Sequence, residues 1–315
     1  MTIKTAVFGE ALFDLIEQSD DQLSAHIGGS PFNVARSFAK QGLDTHYLSP
    51  LATDRYGERL FEYAVSEGIQ LPADNRSFLP TSLALVYTDA DGQPDYRLYR
   101  QSIADLDIDA QQLIDLIPED LALFHTGSLA LVPSMVDVLV PCFTELKKRN
   151  VLISLDINMR KGVERDNEKY IAAVLSLVPF ADIVKVSDED LLLLGIDTAP
   201  LEGAQQILTQ LNNGIVLLTE GANGATLLTS TQSIARPVYT PTVFTDAVGA
   251  GDTFFSAFLA QLLRGQQEAS DDNSWSEEAL IQALHFGLMA ATLNVEQQGC
   301  QPPSQEDVIA ALKTR

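Results

Sequence analysis

An aspartate stands directly behind three small residues in the stretch DAVGAGDTFFSAF, residues 246–258. The small residues Gly249, Ala250 and Gly251 allow backbone N–H groups to converge without side chains in the way. The apolar run that follows predicts a buried helix, whose positive N-terminal end favours a negatively charged ligand. Asp252, in the first turn, could accept a proton from an attacking hydroxyl. The stretch therefore suits phosphoryl transfer, although glycines also form ordinary turns and Asp is common in a first turn.

A second stretch, GGSPFNVA at residues 28–35, places two glycines before an Asn in a predicted helix. Gly28 and Gly29 would let a ligand approach the backbone, and Asn33 offers both a donor and an acceptor to a polyol. The alternative is an ordinary helix start, with Ser30 as the N-cap and Asn33 on the helix face.

Two further stretches follow predicted strands. LDINMRKG, residues 155–162, puts Asp156 and Asn158 at a strand end, where open α/β sheets bind ligands, and Arg160 could contact a substrate or a phosphate. LLTEGANGA, residues 217–225, has the glycines of either a nucleotide loop or a hairpin turn.

The elements around these motifs alternate between apolar strands and amphipathic or buried helices. Near-continuous apolar strands joined by helices predict a mostly parallel sheet with both faces covered. The strands are KTAVF (4–8), LALFH (122–126), VLISLD (151–156), ADIVKV (181–186) and GIVLLT (214–219), and the helices cover 30–42, 54–68, 251–265, 276–295 and a short segment from about 304. Two pieces differ: residues 10–18 alternate apolar and polar, and 82–101 form a hairpin pattern with its turn at 89–94. Together they predict a small separate antiparallel sheet that could act as a lid.

Composition and net charge limit the kinds of molecule that the protein is expected to bind. The 315 residues carry a net charge of −23, which disfavours nucleic acids and anionic membrane surfaces. The N-terminus lacks the long apolar core of a signal peptide, and no run of about 18 apolar residues occurs. We therefore expect a cytoplasmic protein.

The DAVGAGDTFFSAF and GGSPFNVA stretches resemble the C-terminal and N-terminal signatures of the ribokinase-like (PfkB) carbohydrate kinases. The FDLIE and DINMR segments are most similar to the fructokinase branch of that family. The resemblance runs from Asp14 to Gln301. It implies one ribokinase-like α/β domain over residues 1–315, a three-layer α/β/α sandwich with a mostly parallel central sheet, and a lid from about 10–18 and 82–101. It also implies an ATP-dependent kinase acting on a primary hydroxyl of a sugar.

The resemblance assigns roles residue by residue. Asp252 would be the base, and the backbone of Gly249, Ala250 and Gly251 the anion hole. The residues implied in substrate binding are Asp14, Gly28, Gly29, Asn33, Arg100 and Arg160. The residues implied in nucleotide binding are Thr219, Gly221, Gly224 and Asn294. Asp246 and the Val248 carbonyl match a loop that binds a monovalent cation such as K⁺ in many relatives.

One position departs from the family pattern. Relatives usually carry N-x-x-E after the strand matching ADIVKV, linked to the waters of magnesium and phosphate, whereas this chain has Ser187 and Asp190. We therefore expect Mg²⁺ to arrive bound to ATP and to keep most of its waters, without direct ligation by Asp190 or Glu189.

Fructose is the acceptor that the resemblance favours. 2-Keto-3-deoxygluconate, whose acid group would need a cation such as Arg100 or Arg160, and a riboside are the alternatives within the family. A catalytically silent sugar or nucleotide sensor is the alternative from another class; silent relatives tend to lose the base, and Asp252 is present. In relatives such lids often pair two subunits, so a homodimer is a further expectation.

Overall fold

The structure, a computed structural model, describes residues 2–18, 22–88, 94–268 and 275–315. The expected hairpin turn at 89–94 therefore lies outside the described residues except for Pro94. The strands, in chain order, are β1 Lys4–Phe8, β2 Leu12–Glu17, β3 Leu23–Gly28, β4 Asp44–Tyr47, β5 Leu51–Ala52, β6 Arg76–Ser77, β7 Ser82–Thr88, β8 Pro94–Tyr99, β9 Leu121–Gly127, β10 Leu152–Asp156, β11 Ile183–Ser187, β12 Ile215–Thr219, β13 Ala225–Leu228 and β14 Ser233–Arg236. The helices are α1 Ser30–Lys40, α2 Arg55–Ser66, α3 Ala110–Asp115, α4 Val136–Lys148, α5 Asn167–Leu177, α6 Asp188–Leu193, α7 Pro200–Leu208, α8 Ala250–Glu268, α9 Glu277–Val295 and α10 Gln305–Leu312.

Eight strands form the central sheet, in the order β14-β13-β12-β11-β10-β9-β1-β4. The six strands from β4 to β12 in this order are parallel, and β13 and β14 add an antiparallel end. Every strand predicted from an apolar run is present in this sheet. The mostly parallel sheet is therefore confirmed.

Alternate side chains of each buried strand serve the two faces of the sheet. On β11, Val184 and Val186 join the core under α3 to α7, whereas Ile183 joins the core formed with α1, α2, α8 and α9. Each face is covered by helices, so the architecture is the expected three-layer α/β/α sandwich.

Four strands form the second sheet, in the order β3-β2-β7-β8. The β2–β3 and β7–β8 pairs are antiparallel, but β2 and β7 run parallel, from Leu12 opposite Ser82 onward. The prediction of an antiparallel sheet was wrong at this central pair, because β2 and β7 belong to separate hairpins and no tight turn between them fixes their relative direction. Strand β3 was not predicted, although Leu23, Ala25 and Ile27 alternate with Ser24 and His26 as in a half-buried strand.

Helix α1 begins differently from the sequence expectation. Gly29 is the N-cap, with a φ of 109°, and Ser30 is already helical. The Ser30 hydroxyl does not cap the helix but makes long-range contacts across the molecule. Ser30 as the N-cap was therefore wrong.

Helix α8 is buried along most of its length, as its apolar sequence predicts. Phe255, Ala257, Phe258, Leu259 and Ala260 are all fully buried. Among the described residues, no helix has the length and apolar character needed to span a membrane.

Candidate active site

The candidate site lies at the carboxyl ends of the central strands, where the N-terminal ends of α1 and α8 meet. Asp252 belongs to the first turn of α8 and is only 8% exposed. Its Oδ1 accepts a hydrogen bond from the Ser30 hydroxyl at 2.7 Å, and its Oδ2 accepts one from the Asn33 amide at 2.9 Å. Both donors are uncharged, so they orient the carboxylate without neutralising it. A carboxylate held in this way can accept a proton from a hydroxyl.

The three small residues before Asp252 form the tight entry to α8. Gly249 has a φ of +73°, and a side chain on it would place Cβ 2.3 Å from the Cys300 sulfur. Glycine is therefore required here for both its backbone conformation and its lack of a side chain.

The N–H groups of this entry are not all equivalent. Ala250 donates its N–H to the carbonyl of Ala247 at 3.2 Å, and Thr253 donates to the carbonyl of Gly249 at 2.9 Å. The N–H groups of Gly251 and Asp252 lie in the first turn, where a helix supplies no carbonyl partner. Of the expected anion hole, the Gly251 N–H is the group that this geometry leaves most available to an anion, and the Ala250 N–H is engaged in a turn.

A buried ion pair lies under this helix end and was missed in the sequence. The Lys185 ammonium contacts both carboxylate oxygens of Asp156, at 2.9 and 3.1 Å. The sequence pattern places Lys185 in an apolar strand and Asp156 at a ligand-facing strand end. A lysine inside an otherwise apolar strand was the available signal.

The strand-end loop after β10 supports the site from the side. Asn158 has a φ of +35° and donates its amide to the Ser30 hydroxyl at 2.9 Å. Ser30 therefore joins Asn158 to Asp252, a role that the sequence did not reveal.

Close contacts explain why GGSPFNVA has two glycines. A side chain on Gly28 would lie 2.2 Å from Asp14 Oδ2, and one on Gly29 would lie 2.4 Å from the Glu10 carbonyl oxygen. These glycines thus allow the lid strands and the start of α1 to approach closely. The structure brings Asp14 beside Gly28.

Asp14 is half-buried on β2, on the lid side of the site. Burial raises its pKa, and the positive charges of Arg160 and His26 act against that rise. Arg160 is exposed and near enough to influence Asp14. The two residues are therefore available to a ligand between lid and sheet.

Arg100 has a different placement from the one expected. Its guanidinium donates to Asp105 at 2.7 Å, to the Ser82 hydroxyl at 3.0 Å and to the Leu129 carbonyl at 3.2 Å. The side chains of Arg100 and Asp105 are 7% and 3% exposed. The structure thus revises the expected sugar contact: Arg100 links β7 of the lid to the 3₁₀ turns Ala104–Leu106 and Ser128–Ala130.

Glu10 extends this buried cluster toward α1. Its Oε1 accepts the Ser30 N–H at 3.1 Å, and its Oε2 is buried without a hydrogen-bond partner. Burial raises the pKa of Glu10 to about 7, against the opposing charge of Arg100. Glu10 was not singled out in the sequence, because an acid after a first strand gives no local sign of burial.

The glycine-rich stretch after β12 forms a hairpin into β13. Thr219 ends β12 opposite Ser187 on β11, and a short 3₁₀ turn covers Gly221–Asn223. Gly224 has a φ of +108°, and a side chain there would meet the Arg236 carbonyl at 2.1 Å. Gly221 is exposed with open space around it. Thr219 and Gly221 therefore face an accessible edge, while Gly224 is needed by the hairpin itself.

Asn294 does not face that edge. It is fully buried, its amide donates to the Val248 carbonyl at 2.9 Å, and its Oδ1 accepts the Gln301 N–H at 2.8 Å. The expected adenine contact is revised for this reason: Asn294 instead ties the loop before α8 to the loop after α9.

Asp246 also links the loop before α8 to the loop after α9. Its two carboxylate oxygens accept the N–H groups of Val248 and Gly299, both at 2.9 Å. The carboxylate and the Val248 carbonyl each keep a further lone pair, and both are hard oxygen donors that suit K⁺. These residues thus fit a monovalent cation.

The departure from N-x-x-E has a structural explanation. Ser187 and Asp190 form a capping box at the start of α6, in which Asp190 Oδ2 accepts from the Ser187 N–H and hydroxyl. Asp190 Oδ1 accepts the Met159 N–H at 2.8 Å. Both oxygens of Asp190 therefore bind protein donors, and Glu189 is exposed. Within the part of the chain that the structure describes, no group of three or more His, Cys, Asp or Glu side chains could hold a metal ion.

Comparison with known proteins places these features in a family. The model of the pfkB family carbohydrate kinases matches residues 2–307. A fructokinase from Rhizobium leguminosarum bv. trifolii is 31% identical over 262 residues, which is 81% of this chain and 78% of that protein.

Solved structures show the same fold. A fructokinase from Xylella fastidiosa with bound ATP gives a TM-score of 0.89 at 23% identity, covering 100% of this chain and 99% of that one. A fructokinase from Vibrio cholerae O395, bound to fructose, ADP and calcium, gives 0.83 at 23% identity, with 99% of each chain covered.

Proposed function

The chain belongs to the pfkB family of carbohydrate kinases, and from this premise we propose that it transfers the γ-phosphoryl group of ATP to a primary hydroxyl of fructose. Members of this family are phosphotransferases acting on sugar hydroxyls. The observation that carries the proposal is the Asp252 carboxylate, held by two uncharged donors at the N-terminal end of α8. Fructose is supported by the name of the relative that is 31% identical over most of the chain.

The proposed reaction is an in-line transfer. Asp252 accepts the proton of the sugar hydroxyl as its oxygen forms a bond to the γ-phosphorus, and the bond from that phosphorus to ADP breaks. The N-terminal end of α8, with the Gly251 N–H, stabilises the charge on the transferring group. Ser30 and Asn33 hold the Asp252 carboxylate in a fixed orientation before the sugar binds.

ATP enters this site with Mg²⁺, which neutralises phosphate charge when bound. The hairpin edge at Thr219 and Gly221 is accessible to the nucleotide. Asp246 and the Val248 carbonyl would hold K⁺, which would fix the conformation of the loop before α8.

The sugar would lie between lid and sheet, beside Asp14, Gly28 and Arg160. Movement of the lid over it would exclude water and so protect ATP from hydrolysis. In this proposal the whole chain acts as one domain, with β2, β3, β7 and β8 as its lid.

The acid sugar 2-keto-3-deoxygluconate is less well supported. Of the two arginines expected to pair with its carboxylate, Arg100 is bound to Asp105, so Arg160 alone of the two remains exposed. A neutral ketose needs no such partner.

A coupled assay of ADP release across fructose, ribose and 2-keto-3-deoxygluconate tests the assignment. We expect fructose to give the highest kcat/KM. The highest value on another sugar would reassign the substrate, and nucleotide binding without turnover on any sugar would favour the silent sensor.

We also propose a cytoplasmic homodimer that pairs through its lid and binds no nucleic acid. Leu23 and Tyr99 on the lid strands are 51% and 60% exposed, which suits a pairing surface. The net charge of −23 opposes binding to polyanions. Light scattering of the purified protein should give the mass of a dimer. The mass of a monomer would contradict pairing through the lid.

A further inference from the structure

Lys185 is a buried cation in the middle of the central sheet. It stands on β11 directly opposite Asp156 at the end of β10, and the two residues are 5% and 0% exposed. Placing a charged pair in the core is costly, and an apolar pair could usually replace it without loss of stability. The position of Lys185 therefore calls for a reason other than packing.

The ammonium lies immediately under the first turn of α8. A Cβ added to Gly251 would be 3.4 Å from Lys185 Cε and 3.5 Å from Nζ. Gly251 carries no side chain, so nothing of its own separates the ammonium from the helix backbone. The positive charge and the positive end of a 19-residue helix thus lie together.

The charge of Lys185 is maintained by its surroundings. Burial alone would lower the pKa of Lys185, but the nearby carboxylates of Asp156, Asp190 and Asp252 together raise it. Lys185 is therefore an ammonium at neutral pH, and its field acts on Asp252 as well as on Asp156.

We propose that Lys185 is a positioning residue of the kinase reaction, placing a fixed positive charge behind the N-terminal turn of α8. The charge acts through the backbone around Gly251, where it strengthens the attraction for the transferring phosphoryl group. Asp156 holds the ammonium in place. This inference rests on the proposed function of Asp252 as the base.

Two variants that break the same ion pair separate this role from a structural one. Lys185→Met removes the positive charge, and Asp156→Asn removes the negative charge while keeping an oxygen acceptor. Lys147→Met is the matched control, because it removes the ammonium of an exposed pair with Asp182 at the other end of β11.

The expected results differ between the two variants. Lys185→Met should lower kcat by about 10- to 100-fold and leave the KM for fructose unchanged. Asp156→Asn, which removes a negative charge from the same place, should raise kcat or lower it far less. Lys147→Met should change neither quantity.

The two variants break the same ion pair and differ in the charge that they leave behind. A large loss of kcat in Lys185→Met alone therefore assigns the effect to the positive charge of Lys185.

Equal losses of kcat in the two variants, or no loss in either, would overturn the proposal and leave the pair a structural one. If Lys185→Met fails to fold, Lys185→Gln keeps a donor to Asp156 and makes the same prediction. The wild-type protein runs in the same assay. Absence of its turnover on any sugar refutes the proposed function, whereas normal turnover with an unchanged kcat in Lys185→Met refutes only the role of Lys185.

Discussion

Substituting Gly249 by Ala tests the geometry of the anion hole at its tightest point. The new Cβ would lie 2.3 Å from Cys300 Sγ, 2.5 Å from Cys300 Cβ and 3.2 Å from Cys300 Cα, at a φ of +73°. Because the Gly249 carbonyl accepts the Thr253 N–H at 2.9 Å, a shift of Gly249 must carry the first turn of α8 with it.

The size of the effect follows from these contacts. A left-handed conformation costs Ala about 1–2 kcal/mol, and overpacking against Cys300 adds about 1–3 kcal/mol. The free energy of unfolding should therefore fall by about 2–5 kcal/mol. Displacing one donor of an anion hole lowers kcat by roughly 10²–10³, so we expect a loss of that order.

Kinetics on fructose and urea unfolding would be measured in parallel with two controls. Gly68→Ala carries the same kind of backbone strain, at a φ of +80° with open space around it, and should lower stability by about 1–2 kcal/mol while leaving kcat unchanged. Adding Cys300→Gly to Gly249→Ala removes the two closest contacts and should restore part of the stability. Wild-type kcat in Gly249→Ala, with a stability loss no larger than that of Gly68→Ala, would refute the reasoning.

Two further predictions concern the buried cluster at the base of the lid. The Glu10 carboxyl has a pKa of about 7 in the fold against an ordinary value of 4.5, so the folded state binds more protons between these values and stability falls as pH rises from 4.5 to 7. Glu10→Gln should remove up to about 3 kcal/mol of this loss. Urea unfolding at pH 5 and pH 8 measures it. An identical loss of stability in the wild type and in Glu10→Gln would contradict the prediction. Arg100→Met should cost about 3–5 kcal/mol because it leaves Asp105 buried and unpaired, and Arg100→Met with Asp105→Leu should cost less. If Arg100→Met keeps the stability of the wild type and only raises the KM for fructose, the result would instead support a contact between Arg100 and the sugar.

Much of the fold follows from local patterns in the sequence. The strands that form the parallel part of the sheet are short apolar runs, and α8 is apolar on nearly every side, so burial could be inferred from each segment alone. The lid was also visible, because residues 10–18 alternate apolar and polar and residues 82–101 form a hairpin pattern around the turn DADGQP. Its β2–β7 pairing was not, since the two strands belong to separate hairpins and local patterns do not fix the direction of one hairpin relative to the other.

The supporting residues of the site could not be inferred in this way. Lys185 meets Asp156 only through the register of two strands that are 29 residues apart. Ser30 looked like a helix cap, but its hydroxyl contacts Asp252, 222 residues away. Asn294 shows the same limit, because burial of its amide depends on two loops that converge on α9. Signatures in the sequence marked the candidate reacting groups, whereas long-range contacts determine how those groups are held.

The central claim is that Asp252 removes the proton from the sugar. The most direct measurement is kcat for fructose phosphorylation by Asp252→Asn, with ATP and fructose binding followed by calorimetry. The amide keeps the size of the side chain, so we predict that both ligands bind while kcat falls by roughly 10²–10⁴. Phosphorylation at the wild-type rate by this variant would show that another group takes the proton and would contradict the account.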